Sequence, residues 1–80
     1  MMEPLTIMAL RLDHRVDIAP KVQEVLTRYG DKILCRMGLP DPAKEDGIIT
    51  LYMNTSVQET EEFSKELTTI GGVSVSHMRI

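Results

Sequence analysis

Eighty residues, 42% of them hydrophobic and 26% charged, describe one globular domain spanning residues 1–80, with a small core that buries roughly 60–65% of its unfolded surface. A formal net charge of −3 argues against autonomous DNA or RNA binding, which draws on counterion release by Lys and Arg. The apolar runs are strand-sized, Met1-Met2-Glu3-Pro4 lacks the features of a signal peptide, and the single cysteine, Cys35, excludes an internal disulfide; a cytoplasmic protein without membrane contact is expected.

Leu5 to Asp13 reads as a first strand. Met8, Leu10 and Leu12 share the better core face, and Ile7, Ala9 and Arg11 share the other. After His14 and Arg15, Asp17 is the expected N-cap of a helix, with Pro20 tolerated in its first turn. Ile18, Val22, Val25, Leu26 and Tyr29 recur at the spacing of a buried helical stripe. Gly30 is the expected left-handed residue at its end.

Lys32 to Leu39 is the second strand, with Ile33, Cys35 and Met37 on one parity and Lys32, Leu34 and Arg36 on the other. Pro40 to Gly47 is polar and proline-punctuated, a long turn and the expected most mobile part of the chain. Gly47 to Thr55 is the third strand. Ser56 and Glu59 then have the S-x-x-E spacing of a capping box. Thr60, Phe63, Leu67 and Ile70 form the buried stripe of a second helix, which Gly71-Gly72 ends. Val73 to Ile80 is the last strand, with Val73 and Val75 inward and Ser74, Ser76 and Met78 outward.

The element order βαββαβ specifies an α+β, ferredoxin-like sandwich: a four-stranded antiparallel sheet in the order 4-1-3-2, with two helices on one face. The uncovered face would carry Ile7, Ala9, Leu34, Ile48, Thr50, Tyr52 and Met78 among Arg11, Arg36 and serines. That is more apolar than a solvated face requires. Ile7, Ile48, Tyr52 and Met78 are therefore the expected oligomer interface, in a dimer or tetramer; the alternative is an ordinary monomer with scattered apolar surface.

The segment Gly30-Asp31-Lys32-Ile33-Leu34-Cys35-Arg36-Met37-Gly38-Leu39-Pro40 resembles the G-D-x-I-x-x-R-M-G-x-P signature of the iron-only hydrogenase system regulator family, an ACT-like group. The resemblance runs the length of the chain through Asp13-His14-Arg15, Val22-Gln23-Glu24-Val25-Leu26, Ile48-Ile49 and Ile70-Gly71-Gly72-Val73-Ser74-Val75. It implies a fold related to the ACT domain and to the C-terminal domain of nickel-responsive repressors. Such domains associate through strands or sheet faces and bind small effectors at the interfaces. These residues leave no room for a helix-turn-helix or ribbon-helix-helix module, so regulation would run through a ligand or a protein partner.

The chemistry on offer is sparse. Cys35, His14 and His77 are the soft or borderline metal ligands. In the expected topology Cys35 and His77 lie on opposite edge strands, about 14 Å apart at ~4.8 Å per strand. They could meet only across subunits, so no metal site is assigned; Cys35 reads as a small core residue and His77 as a strand-end histidine. Iron–sulfur ligation needs more cysteines, and no cofactor is expected. His14 and Arg15 precede a helix N-terminus suited to a carboxylate or phosphate, and Arg36 could add a bidentate contact from a neighbouring subunit. The bland alternative pairs Arg36 with an acid such as Asp31 and leaves Arg15 solvated.

No nucleophile sits beside a base and no phosphate loop exists, so no catalytic residue is named. The arginine loop of acylphosphatases, which share the topology, is replaced by Asp13-His14-Arg15-Val16. Sheet-face RNA recognition would need more aromatics than Tyr52. The expected function is a non-enzymatic ACT-like regulatory domain that oligomerises and senses a small anionic or amino-acid effector. The alternatives are a structural protein–protein interaction module without ligand and, third, a metal sensor at a subunit interface.

Overall fold

The computed structural model describes residues 5–13, 15–40 and 46–80. Its elements are β1 (Thr6–Leu12), α1 (Arg15–Arg28), β2 (Ile33–Pro40), β3 (Gly47–Met53), α2 (Val57–Thr68) and β4 (Val73–Arg79), with a 3-10 turn at Gly30–Lys32 between α1 and β2. The four strands form one antiparallel sheet in the order β2-β3-β1-β4. This is the expected 4-1-3-2 arrangement with β1 and β3 central, and its ferredoxin-like form is confirmed.

Alternation builds the core. Thr6, Met8, Leu10 and Leu12 face the helices from β1 and are buried, and Leu51 and Met53 join them from β3. Val22, Val25 and Leu26 of α1 and Phe63 and Leu67 of α2 close the layer from above, with Ile18, Tyr29, Ile70, Val73 and Val75 packed at its margins. Both helical stripes therefore face the sheet as their spacing requires. Leu5 and Ile80 extend the ladder beyond the strands with reciprocal backbone bonds of 3.0 and 2.9 Å.

The ends of α1 depart from expectation. The helix opens at Arg15, so Asp17 lies inside the first turn, where its charge meets the positive end of the helix dipole instead of capping it. Pro20 is then the sixth helical residue and forfeits the backbone bond that position would make to Val16. Gly30 enters the 3-10 turn rather than a left-handed cap. The positive φ among the described glycines belongs to Gly72, at +89°. There the carbonyl of Gly72 accepts from the Asp13 backbone at 2.8 Å, and an added Cβ would meet the Asp13 carbonyl oxygen at 3.3 Å. The reversal into β4 is built on that contact. Residues 41–45, the heart of the expected mobile turn, lie outside the described residues.

The capping box expected at α2 is present. The Ser56 hydroxyl accepts from the Glu59 amide at 3.1 Å and the Glu59 carboxylate accepts from the Ser56 amide at 3.0 Å. That backbone bond, ahead of Lys32 nearby, holds the Glu59 carboxyl below its ordinary range. Ser56→Ala should cost about 1 kcal/mol and lower the melting temperature by about 4–8 °C in a domain of this size. An unchanged melt would show that packing alone sets the start of α2.

Candidate functional site

The face of the sheet away from the helices carries Met37, Leu39, Ile48, Tyr52 and Met78, most of the exposed large hydrophobic side chains among the described residues. Strand register lays it out in three rows. The first runs Cys35–Tyr52–Ile7–Met78, the second Met37–Thr50–Ala9–Ser76, and the third Leu39–Ile48–Arg11–Ser74. Met37, Leu39 and Met78 are 65, 62 and 57% exposed, and Tyr52 and Ile48 remain more than a third exposed. Eight of these twelve positions are apolar, and at ~4.8 Å between strands and ~6.8 Å between rows the twelve together span on the order of 400 Å². The polar positions are Thr50 and Ser76 in the second row and one corner of the third, where Arg11 donates to Asp46 at 3.1 Å beside Ser74.

The β2 edge of this surface differs from the sequence expectation. Ile33 stands opposite Met53 but Cys35 stands opposite Tyr52, so an irregularity at Leu34 shifts the register by one residue. A one-residue shift exchanges the two faces for everything beyond it. Cys35, Met37 and Leu39 therefore lie on the outer face, while Arg36 and Gly38 turn to the helix side, opposite Leu51 and Ile49. Three expectations are corrected. Cys35 is exposed, not a core residue; Arg36 is not on the uncovered face; and Leu34, 60% exposed, sits at the irregularity itself. The signals that could have found this are the nearly unbroken apolar run from Ile33 to Leu39 and the glycine inside it, both unlike a regular half-buried strand.

The helices do not reach across β2, where every residue from Leu34 to Leu39 is exposed. Arg36 bridges the gap, donating from Nη2 to Oε1 of Gln23 on α1 at 2.6 Å. Asp31, its alternative partner from sequence, does not make this bond. Gln23 stands eight residues along α1 from Arg15, about 12 Å at 1.5 Å per residue. The structure therefore does not bring Arg36 to the start of α1 within one chain. His14 and the side chain of Arg15 lie outside the described residues. Beside Gln23, a cavity of about 220 Å³ opens between α1 and the sheet, its lining including Leu12, Ala19, Gly38, Gly47 and Ile49.

Other polar groups serve the packing. The Tyr29 hydroxyl and Arg28 guanidinium bind the two carboxylate oxygens of Glu66 at 2.9 and 2.7 Å, pinning the end of α1 to α2. The Arg28 bond, then that of Tyr29, holds the Glu66 carboxyl below its ordinary range. His77 is on the helix side of β4, opposite Met8, and Cys35 on the outer face of β2, so the two are divided by the sheet as well as by its width. No cluster of metal-binding side chains occurs among the described residues. None of the described helices is long and apolar enough to cross a membrane.

Comparison with known proteins turns this architecture into a family assignment. The TM1266-like family model, described as "Iron-only hydrogenase system regulator, putative", matches residues 5–77. The chain belongs to this family. Among solved structures, the uncharacterized protein TM1266 from Thermotoga maritima aligns over 98% of this chain and 99% of its own with a TM-score of 0.89 and 26% identity. Two more distant structures share the regulator's fold alone. An unknown protein from Galdieria sulphuraria covers 98% of this chain over 46% of its own, at a TM-score of 0.68 and 11% identity. The protein CPII from Thiomonas intermedia K12, solved with ADP, AMP and acetate, covers 96% over 88% of its own, at 0.53 and 13%. No curated protein matches the chain.

Proposed function

We propose that this member of the regulator family is a non-enzymatic effector-binding domain that works as a homo-oligomer assembled through its uncovered sheet face. The observation that carries the reading is the three-row outer surface, apolar at eight of twelve positions and placed on the two central strands as well as the β2 edge. Its twelve positions span ~400 Å², about half of what one partner contributes to a stable interface. The exposed β2 edge lies beside it. A second copy would cover Ile7, Ile48, Tyr52 and Met78 together with Met37 and Leu39.

Small anions are the effector class favoured by the positive groups. His14 and Arg15, adjacent in sequence at the opening of α1, and Arg36 on β2 would meet one ligand only across a subunit boundary, because about 12 Å of helix separates the last from the others. A ligand touching two chains stabilises their association by mass action. The likeness to CPII, whose structure carries ADP, AMP and acetate, supports only that this fold can hold small anions.

The assembly reading is tested by mass. The chain is 9.0 kDa, and light scattering should return a multiple of it at high micromolar concentration. Tyr52→Glu, placing a carboxylate in the middle of the first row, should weaken association at least about tenfold. A wild-type monomer, or a variant with unchanged mass, would overturn the sheet face as the interface.

A further inference from the structure

The cavity under α1 has a specific origin. On the helix side of the sheet, β2 offers Arg36 and then Gly38 opposite Ile49, and β3 offers Gly47 opposite Leu12. The helix above presents Ala19 and, one turn on, Gln23. Three of the positions that should fill the helix–sheet interface here carry at most a methyl group. An added Cβ at Gly38 would meet nothing within 4 Å, and Gly38 is exposed, so the space is not closed by backbone packing and opens to solvent at the β2 edge. Its volume of about 220 Å³ exceeds the ~150 Å³ that accommodates a benzene-sized molecule and falls below the ~300 Å³ of drug-sized sites.

Its polarity is equally particular. Leu12, Ala19, Leu39, Ile48 and Ile49 make the walls apolar, and no acidic side chain lines the space among the described residues. The polar group at its edge is the Gln23 amide. Arg36 occupies the oxygen of that amide at 2.6 Å, which leaves the amide nitrogen as a donor with no protein partner among the described residues. The rim therefore presents an N–H donor backed by a guanidinium, an edge that attracts a carboxylate and repels an ammonium group.

We propose that this cavity binds a small branched aliphatic carboxylate, its carbon chain between α1 and β2 and its carboxylate at Gln23 and Arg36. The positive charge of Arg36 at that edge favours the plain acid over the corresponding amino acid, whose ammonium group it repels. The assignment rests on the effector-binding function proposed above and names its ligand class; the lining belongs to one chain, and it includes Leu39 and Ile48, which also stand on the face a second copy would cover.

Isovalerate is the probe. Titrated into 15N-labelled protein, it should shift the amides of Ala19, Gln23, Gly38 and Ile49 saturably, with an affinity at least about tenfold better than that of leucine or of 3-methylbutanol. Gly38→Leu and, from the opposite wall, Ala19→Leu should each abolish the shifts while far-UV circular dichroism shows the fold retained. Arg36→Gln should weaken binding about tenfold. Absence of saturable shifts at about 10 mM isovalerate, a range where even millimolar ligands register, would overturn the proposal, and so would equal binding of leucine or undiminished binding in both filled variants. Because Tyr52→Glu leaves this cavity intact, loss of assembly with retained isovalerate shifts would separate failure of the interface reading from failure of this one.

Discussion

Phe63→Ala is expected to lose about 3–5 kcal/mol, the range for deleting a fully buried aromatic. Phe63 is completely buried in α2, and its ring meets that of Tyr29 with centroids 4.4 Å apart at an interplanar angle of 48°. It is the one phenylalanine of the chain and joins both helices to Met8, Leu51 and Met53 of the sheet in one cluster. A domain this small has a net stability of ~5 kcal/mol, so the variant should keep only about 0–2 kcal/mol and be marginally folded. Urea denaturation of the wild type and of Phe63→Leu, which keeps most of the volume and should cost under about 1.5 kcal/mol, provides the comparison. A Phe63→Ala loss below about 1 kcal/mol would mean that the core collapses around the vacancy.

The second large effect is expected at Thr60. Thr6, Thr55 and Thr60 are buried, and their hydroxyls converge: Thr60 lies 3.3 Å from Thr6 and 2.8 Å from Thr55. The Thr60 hydroxyl has one proton, which goes to the Ser56 carbonyl at 2.8 Å. It must then accept from both neighbours. Arg79 completes the set, donating to Thr6 at 3.1 Å and to the Thr55 carbonyl at 2.7 Å. Thr60→Val keeps the shape, removes the shared acceptor and strands two buried donors, at about 1–3 kcal/mol for the pair beyond the lost bond to Ser56. Thr60→Ser should retain the network. Equal stability of the valine and serine variants in urea would show that the hydroxyls contribute nothing beyond packing.

The two clusters explain why the architecture was legible and the site less so. Strand faces at Met8, Leu10 and Leu12, and helical stripes at Val22, Val25 and Leu26 and at Phe63 and Leu67, repeat with the periods of the backbone itself. Each stretch thus declares its element and its buried side without reference to any other. The S-x-x-E spacing at Ser56 and Glu59 is equally local. The opening of α1 was misjudged because Asp17 is acceptable both as a cap and within a first turn, and spacing alone does not choose between them.

By itself, then, the sequence determined the element order, the strand order, the core faces of β1 and of both helices, and the family, properties carried by periodicity, by element order or by a run of matched residues. Tertiary structure decided which side of β2 faces out, and with it the composition of the candidate interface and the partner of Arg36. The reason is the pleat. Parity along a strand propagates from one residue to the next, so a single irregularity at Leu34 exchanges every later side chain between faces, and in a run as evenly apolar as Ile33 to Leu39 no residue marks where the exchange occurs. Only pairing with β3, where Cys35 meets Tyr52 and Arg36 meets Leu51, sets that register.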